Sequence, residues 1–82
     1  MKNFHYVYIL VSETDGRRHY TGLTDDLESR LEAHNQGQVP HTAKSRPWRL
    51  ETAIAFRSRS KAAAFETYLK THSGRAFASK HF

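Results

Sequence analysis

The sequence predicts an α+β domain, a small antiparallel sheet of three strands flanked by helices. Three observations carry that reading. Aromatic and β-branched runs with alternating faces occupy residues 4–11, 18–23 and 48–56; stretches with helical apolar spacing follow the second and third runs; and an Asp15-Gly16 turn joins the first two.

Phe4 to Val11 reads as a strand with Val7, Ile9 and Val11 on one face and Tyr6, Tyr8 and Leu10 on the other, so both faces should be covered. Ser12 to Arg17 supplies turn residues, and Arg18 to Leu23 returns as the antiparallel partner. Thr24-Asp25-Asp26 offers capping oxygens, with Asp25 and Glu28 at capping-box spacing, for a helix from about Asp26 to Asn35 that stops before Gly37. Gln36 to Pro47 lacks apolar periodicity and reads as a long loop carrying His41, Lys44 and Arg46. Trp48 to Phe56 alternates throughout, which predicts one apolar face made of Trp48, Leu50, Thr52, Ile54 and Phe56. Ser60 is the expected cap of a second, alanine-rich helix running to about Thr71; Ser73-Gly74 breaks it, and Arg75 to His81 forms a short last helix with Phe77 as its core contact.

At 82 residues the chain has room for one thin core, so a single domain over residues 1–82 is expected. The absence of cysteine excludes disulfides, thiolate metal clusters and thiol catalysis, which fits a reducing cytoplasmic location. The longest apolar run, Val7 to Val11, is far too short to span a membrane, and the N-terminus lacks a signal-peptide core. Thirteen Lys and Arg against eight Asp and Glu leave a net charge of +5, which suits a polyanionic partner and equally suits a plain basic surface. The positions of individual residues have to decide between them.

Two helices carry polar groups close to their apolar stripes. Arg30 and His34 project near the stripe defined by Leu27 and Leu31, and Glu66 falls between Ala62, Phe65 and Leu69. Arg30 could pair with Asp26 on the exposed helix surface, or join His34 in presenting two groups to one anion. A lone carboxylate beside a core needs a cation, a metal, hydrogen bonds or local exposure, so Glu66 could pair with Arg30 or Lys70 or could instead hold a hard divalent metal. The histidines show no zinc-ligand spacing, and no Gly-x-Ser-x-Gly elbow occurs.

Taken in order, Tyr6-Val7-Tyr8, Tyr20-Thr21-Gly22, Arg30, His34 and Glu66 make nearly the whole chain resemble the GIY-YIG nuclease superfamily. The resemblance is to its small single-domain bacterial members, similar to the amino-terminal domain of the nuclease subunit of nucleotide excision repair. It implies metal-dependent endonuclease chemistry on DNA, branched or single-stranded forms included, with DNA repair as a context and a partner protein as an aid to substrate choice. Under that resemblance Glu66 holds Mg²⁺ or Mn²⁺, and Tyr8 orients or deprotonates the attacking water, with its phenol pKa lowered near the metal. Tyr20 and His34 assist, Arg30 contacts the scissile phosphate, and Gly22 lets the chain turn beside the site. Lys44, Arg46 and Arg49 are candidate contacts to backbone phosphates and fit solvated surface charge equally well. The chain departs from the family pattern at Tyr6, Thr21 and Leu23 and has no asparagine beyond Glu66. The missing asparagine and the +5 charge motivate a second reading, a non-catalytic nucleic-acid-binding module. A third is a protein-interaction domain that uses Trp48 and the 36–47 loop.

Overall fold

The computed structural model describes residues 3–82. Strand β1 (His5–Ser12) is the centre of a three-stranded sheet, antiparallel to β2 (His19–Thr24) on one side and β3 (Trp48–Phe56) on the other. The central place follows from its sequence, because apolar side chains on both faces need cover on both faces, and every residue from Val7 to Ser12 is buried.

The three helices supply that cover. Helix α1 (Leu27–Asn35) packs Leu27 and Leu31 against Tyr8, Leu10, Tyr20 and Trp48 on one face. Helices α2 (Arg59–Leu69) and α3 (His72–His81) bring Ala62, Phe65, Leu69, Phe77 and Ala78 against Val7, Ile9, Leu23 and Phe56 on the other. The result is an α+β sandwich with the sheet as its middle layer. Among the described residues no helix is long and apolar enough to cross a membrane.

The single apolar face expected for β3 does not exist. Ile9 pairs with Thr52 but Leu10 pairs with Leu50, so Glu51 is an extra residue in the ladder. This bulge exchanges the faces of everything before it, because side-chain alternation has a period of two. Thr52, Ile54 and Phe56 lie on the α2/α3 side, while Trp48 crosses to the α1 side and packs with Tyr8 and Leu10. Leu50 is left exposed. Trp48, at 4% exposure, is a core residue, which removes it as the contact of a protein-interaction surface.

The caps also differ from expectation. Asp26 rather than Asp25 caps α1, its carboxylate accepting from the Ser29 amide at 3.1 Å. Ser58 rather than Ser60 caps α2, accepting from the Lys61 amide at 3.2 Å. In both cases the earlier-starting or later-starting residue type was equally suitable, and the entry of the chain from the sheet selects between them. Gly74 does not break a helix but lies in the first turn of α3, three residues after its cap Thr71. A Cβ there would overlap the Tyr68 carbonyl oxygen, so the glycine permits the close approach of α3 to the end of α2.

The long loop is tied down rather than loose. It contains a 3-10 turn at Ala43–Ser45, and Thr42 and Ser45 are both buried. The Ser12 hydroxyl donates to the Ser45 carbonyl at 2.6 Å. The Asn35 side chain, at the end of α1, donates to the Trp48 carbonyl at 2.9 Å and accepts from its amide at 2.6 Å. These contacts dock the loop on the α1 side of the sheet.

Candidate active site

Tyr8 sits opposite Gly22 in the β1–β2 ladder. A Cβ on Gly22 would overlap the Tyr8 Cζ and hydroxyl oxygen, so the absence of a side chain is what lets the phenol ring lie across β2. The ring is carried towards α1, where the Tyr8 hydroxyl meets His34 Nε2 at 3.0 Å and receives the Arg30 Nε–H at 3.4 Å. Tyr20 adds its ring 4.8 Å from that of His34 and 6.3 Å from that of Tyr8, centroid to centroid. Tyr8, Tyr20, Arg30 and His34 therefore form one contact cluster between the β hairpin and α1.

Each polar member of the cluster is shifted by its surroundings. Burial pushes the Tyr8 phenol above its usual 10.0, only partly opposed by the hydrogen bond from Arg30. In the protein alone desolvation outweighs the neighbouring cation, so any lowering of the phenol would have to come from a metal held beside it. Arg30 is held the more firmly protonated by its hydrogen bond to Tyr8. His34 is driven below 6.5, first by burial and then by the Arg30 charge, so its ring is neutral at neutral pH. Arg30 forms no ion pair with Asp26, whose carboxylate is used as the helix cap.

Glu66 projects from α2, on the other side of the sheet, and its carboxylate is still close enough to Tyr8 to act on the phenol electrostatically. Its ion-pair partner is Lys70, one turn later, at 3.1 Å, and the Glu66 side chain is 20% exposed. Among the described residues no three His, Cys, Asp or Glu come together to enclose a metal. A partly open single carboxylate fits a hard cation that takes one protein ligand and fills its other positions with water and phosphate oxygens. Such a cation would have to displace the Lys70 ammonium.

The loop basic residues divide by face. Lys44 is exposed in the 3-10 turn, and Arg46 is exposed with its Nε–H donating to the Ala43 carbonyl at 2.8 Å. Arg49 pairs with Val11 and so lies on the α2/α3 side, away from the face that holds Tyr8. Sequence reasoning missed Thr42. Its hydroxyl lies 2.8 Å from His34 Nδ1 and donates to the Val39 carbonyl at 3.2 Å, and its own carbonyl accepts the Trp48 indole N–H at 2.8 Å. A lone threonine in a polar loop gives no local signal; the only hint was that long loops in small domains tend to carry function.

The chain is similar to known proteins over most of its length. A family model described as the GIY-YIG catalytic domain matches residues 4–80. A UPF0213 protein of Haloquadratum walsbyi is 36% identical over 73 residues, covering 88% of this chain and 80% of its own length. A UPF0213 protein of Bacillus licheniformis is 38% identical over 69 residues, covering 83% and 69% respectively. The solution NMR structure of a UPF0213 protein from Bacillus halodurans superposes with a TM-score of 0.56 at 31% identity, covering 94% of this chain and 83% of that one.

Proposed function

Because the chain belongs to the GIY-YIG catalytic domain family, we propose that it is a divalent-metal-dependent endonuclease hydrolysing DNA phosphodiester bonds at the Tyr8 cluster. The observation that supports this most is the convergence of the Tyr8 hydroxyl, the Arg30 guanidinium and the His34 ring through contacts at 3.0 and 3.4 Å, with Glu66 in electrostatic reach. A buried tyrosine, a buried neutral histidine and an arginine without a carboxylate partner are costly to assemble and have a ready use at a phosphate.

Arg30 binds the scissile phosphate. Its Nε–H is engaged by Tyr8 and the guanidinium also bonds to Tyr20, which leaves the remaining donors of the fork for phosphate oxygens, where charge grows in the transition state. Tyr8 orients the attacking water and takes its proton, and because the phenol is protonated beforehand it must pass its own proton on. His34 Nε2 is the neighbour that can receive it. Tyr20 packs against His34 and closes the cluster on the β2 side. Glu66 is the residue that would hold Mg²⁺ or Mn²⁺, which when bound supplies Lewis-acid stabilisation of the phosphate. Lys44 and Arg46 guide the flanking backbone.

The test is cleavage of a panel of branched and single-stranded DNA with Mg²⁺ or Mn²⁺. Wild type should cleave, and Glu66→Ala should lose turnover while its circular dichroism is unchanged. Equal turnover by the two proteins would trace the activity to a contaminant. Salt-sensitive DNA binding with no turnover in either metal would favour the non-catalytic module, a reading consistent with the engagement of Glu66 by Lys70.

A further inference from the structure

We propose that Thr42 is a positioning residue that locks His34 in the Nδ1–H tautomer, so that Nε2 is committed as the acceptor of the Tyr8 proton. The inference rests on the proposed nuclease reading for its catalytic consequence, but not for the tautomer itself.

Proton counting among the protein groups of this chain favours it. Tyr8 is 2% exposed, and of the partners at its hydroxyl Arg30 can only donate, which leaves His34 Nε2 to accept the Tyr8 O–H. A neutral His34 with a free lone pair on Nε2 carries its proton on Nδ1. That proton points at the Thr42 hydroxyl oxygen, 2.8 Å away, which must accept it. The single Thr42 hydroxyl proton is then used on the Val39 carbonyl at 3.2 Å, and every donor has one acceptor. In the opposite arrangement Thr42 donates to Nδ1 and Nε2–H donates to Tyr8, and the Tyr8 O–H is left with no acceptor among the described protein groups, only the water it is to activate. Burial and the adjacent Arg30 charge independently keep the ring neutral.

Thr42 is itself fixed for this task. Its carbonyl accepts both the Trp48 indole N–H at 2.8 Å and the Ser45 amide at 3.1 Å, and the residue is 1% exposed at the base of the loop. The Glu51 bulge is what brings Trp48 to this face, so the ladder irregularity and the orientation of the histidine are linked through one hydrogen bond.

The chemical consequence is a directed relay. As water forms its bond to phosphorus and the bond to the leaving oxygen breaks, a water proton passes to the Tyr8 oxygen while the Tyr8 proton passes to Nε2. The imidazolium so formed keeps its Nδ1–H on Thr42, and the leaving oxygen takes a proton from solvent. His34 then returns its proton to solvent through Tyr8. Thr42 touches none of the reacting atoms.

The tautomer is read directly by two-bond ¹H–¹⁵N correlation spectra of ¹⁵N-labelled full-length protein above neutral pH. Wild type and Thr42→Ser should both show His34 protonated at Nδ1 and bare at Nε2. In Thr42→Val the Nδ1–H loses its acceptor, the two tautomers become comparable, and single-turnover cleavage falls by about 10- to 100-fold while KM moves by less than about threefold. Thr42→Ser should retain the wild-type rate within about threefold, a rescue expected when a hydroxyl rather than its volume is required. Wild-type His34 protonated at Nε2, or Thr42→Val with an unchanged spectrum and rate, would overturn the proposal. If Thr42→Val does not fold, the wild-type and Thr42→Ser spectra still decide it. If wild type does not cleave DNA, the nuclease reading fails while the spectra still test the lock.

Discussion

At the scale of the residue, Tyr8 and His34 show how a short polar chain inside a thin core constrains both stability and chemistry. Tyr8→Phe deletes the hydroxyl that His34 Nε2 and Arg30 Nε share. It leaves a buried lone pair without a donor, so equilibrium unfolding in urea should show a loss of about 1–3 kcal/mol. The cleavage rate should fall by about 10² or more, because no other described side chain bonds to both groups. His34 makes a separate prediction about pH. Its folded pKa lies below the 6.5 of an unconstrained histidine, so as pH falls the unfolded chain takes up a proton before the folded one. The stabilising contribution is whole above about pH 6.5 and is lost as pH drops from there through the lower folded value, by about 1.4 kcal/mol per tenfold difference in proton affinity. Thermal unfolding of wild type and His34→Gln across this window should show the steeper decline in wild type; parallel curves would mean that the ring titrates as in the unfolded chain.

At the scale of the element, two glycines with tight surroundings should separate function from stability. Gly22 is crowded by the Tyr8 ring and hydroxyl, and Gly74 by the backbone at the end of α2. An added methyl in either place should cost about 1–3 kcal/mol as overpacking. Only Gly22→Ala displaces the phenol from His34 and Arg30, so only that variant should lose cleavage by more than its unfolded fraction explains. Turnover of both variants measured well below their melting temperatures makes the comparison, and an equally impaired Gly74→Ala would break the link between β2 geometry and the site. Most of the element plan was readable in the sequence, since the hairpin, the two helices with polar intrusions and the third strand all follow from periodicity and turn chemistry. The Glu51 bulge was not, because the residue types from Trp48 to Phe56 alternate without interruption and only the pairing to Leu10 reveals the extra residue. Thr42 was hidden for the same reason. Its burial depends on where β3 begins, and so on the bulge, rather than on its neighbours in the chain.

At the scale of the whole molecule, the net charge of +5 is spread over both sides of the sheet, and only part of it can follow a strand through the Tyr8 cluster. Lys44 lies two residues from Thr42, in the loop docked on the α1 side, whereas Arg49 lies on the α2/α3 side. That second side also carries an open cavity of about 780 Å³, whose lining includes Arg17, Lys70 and Arg75 as well as Glu51. Each cation that neutralises a phosphate releases counterions, so on a single strand its removal lowers the slope of log affinity against log salt by about 0.7. Binding of a short single strand in Ca²⁺, titrated from low to moderate salt, should give that reduction for Lys44→Ala and an unchanged slope for Arg49→Ala. The reverse result would put the path of the strand on the α2/α3 side, past Lys70, where an arriving phosphate would draw the ammonium away from Glu66. A reduction in both variants would require the strand to wrap the β3 edge of the sheet. The slopes therefore locate the nucleic acid on the molecule without relying on turnover.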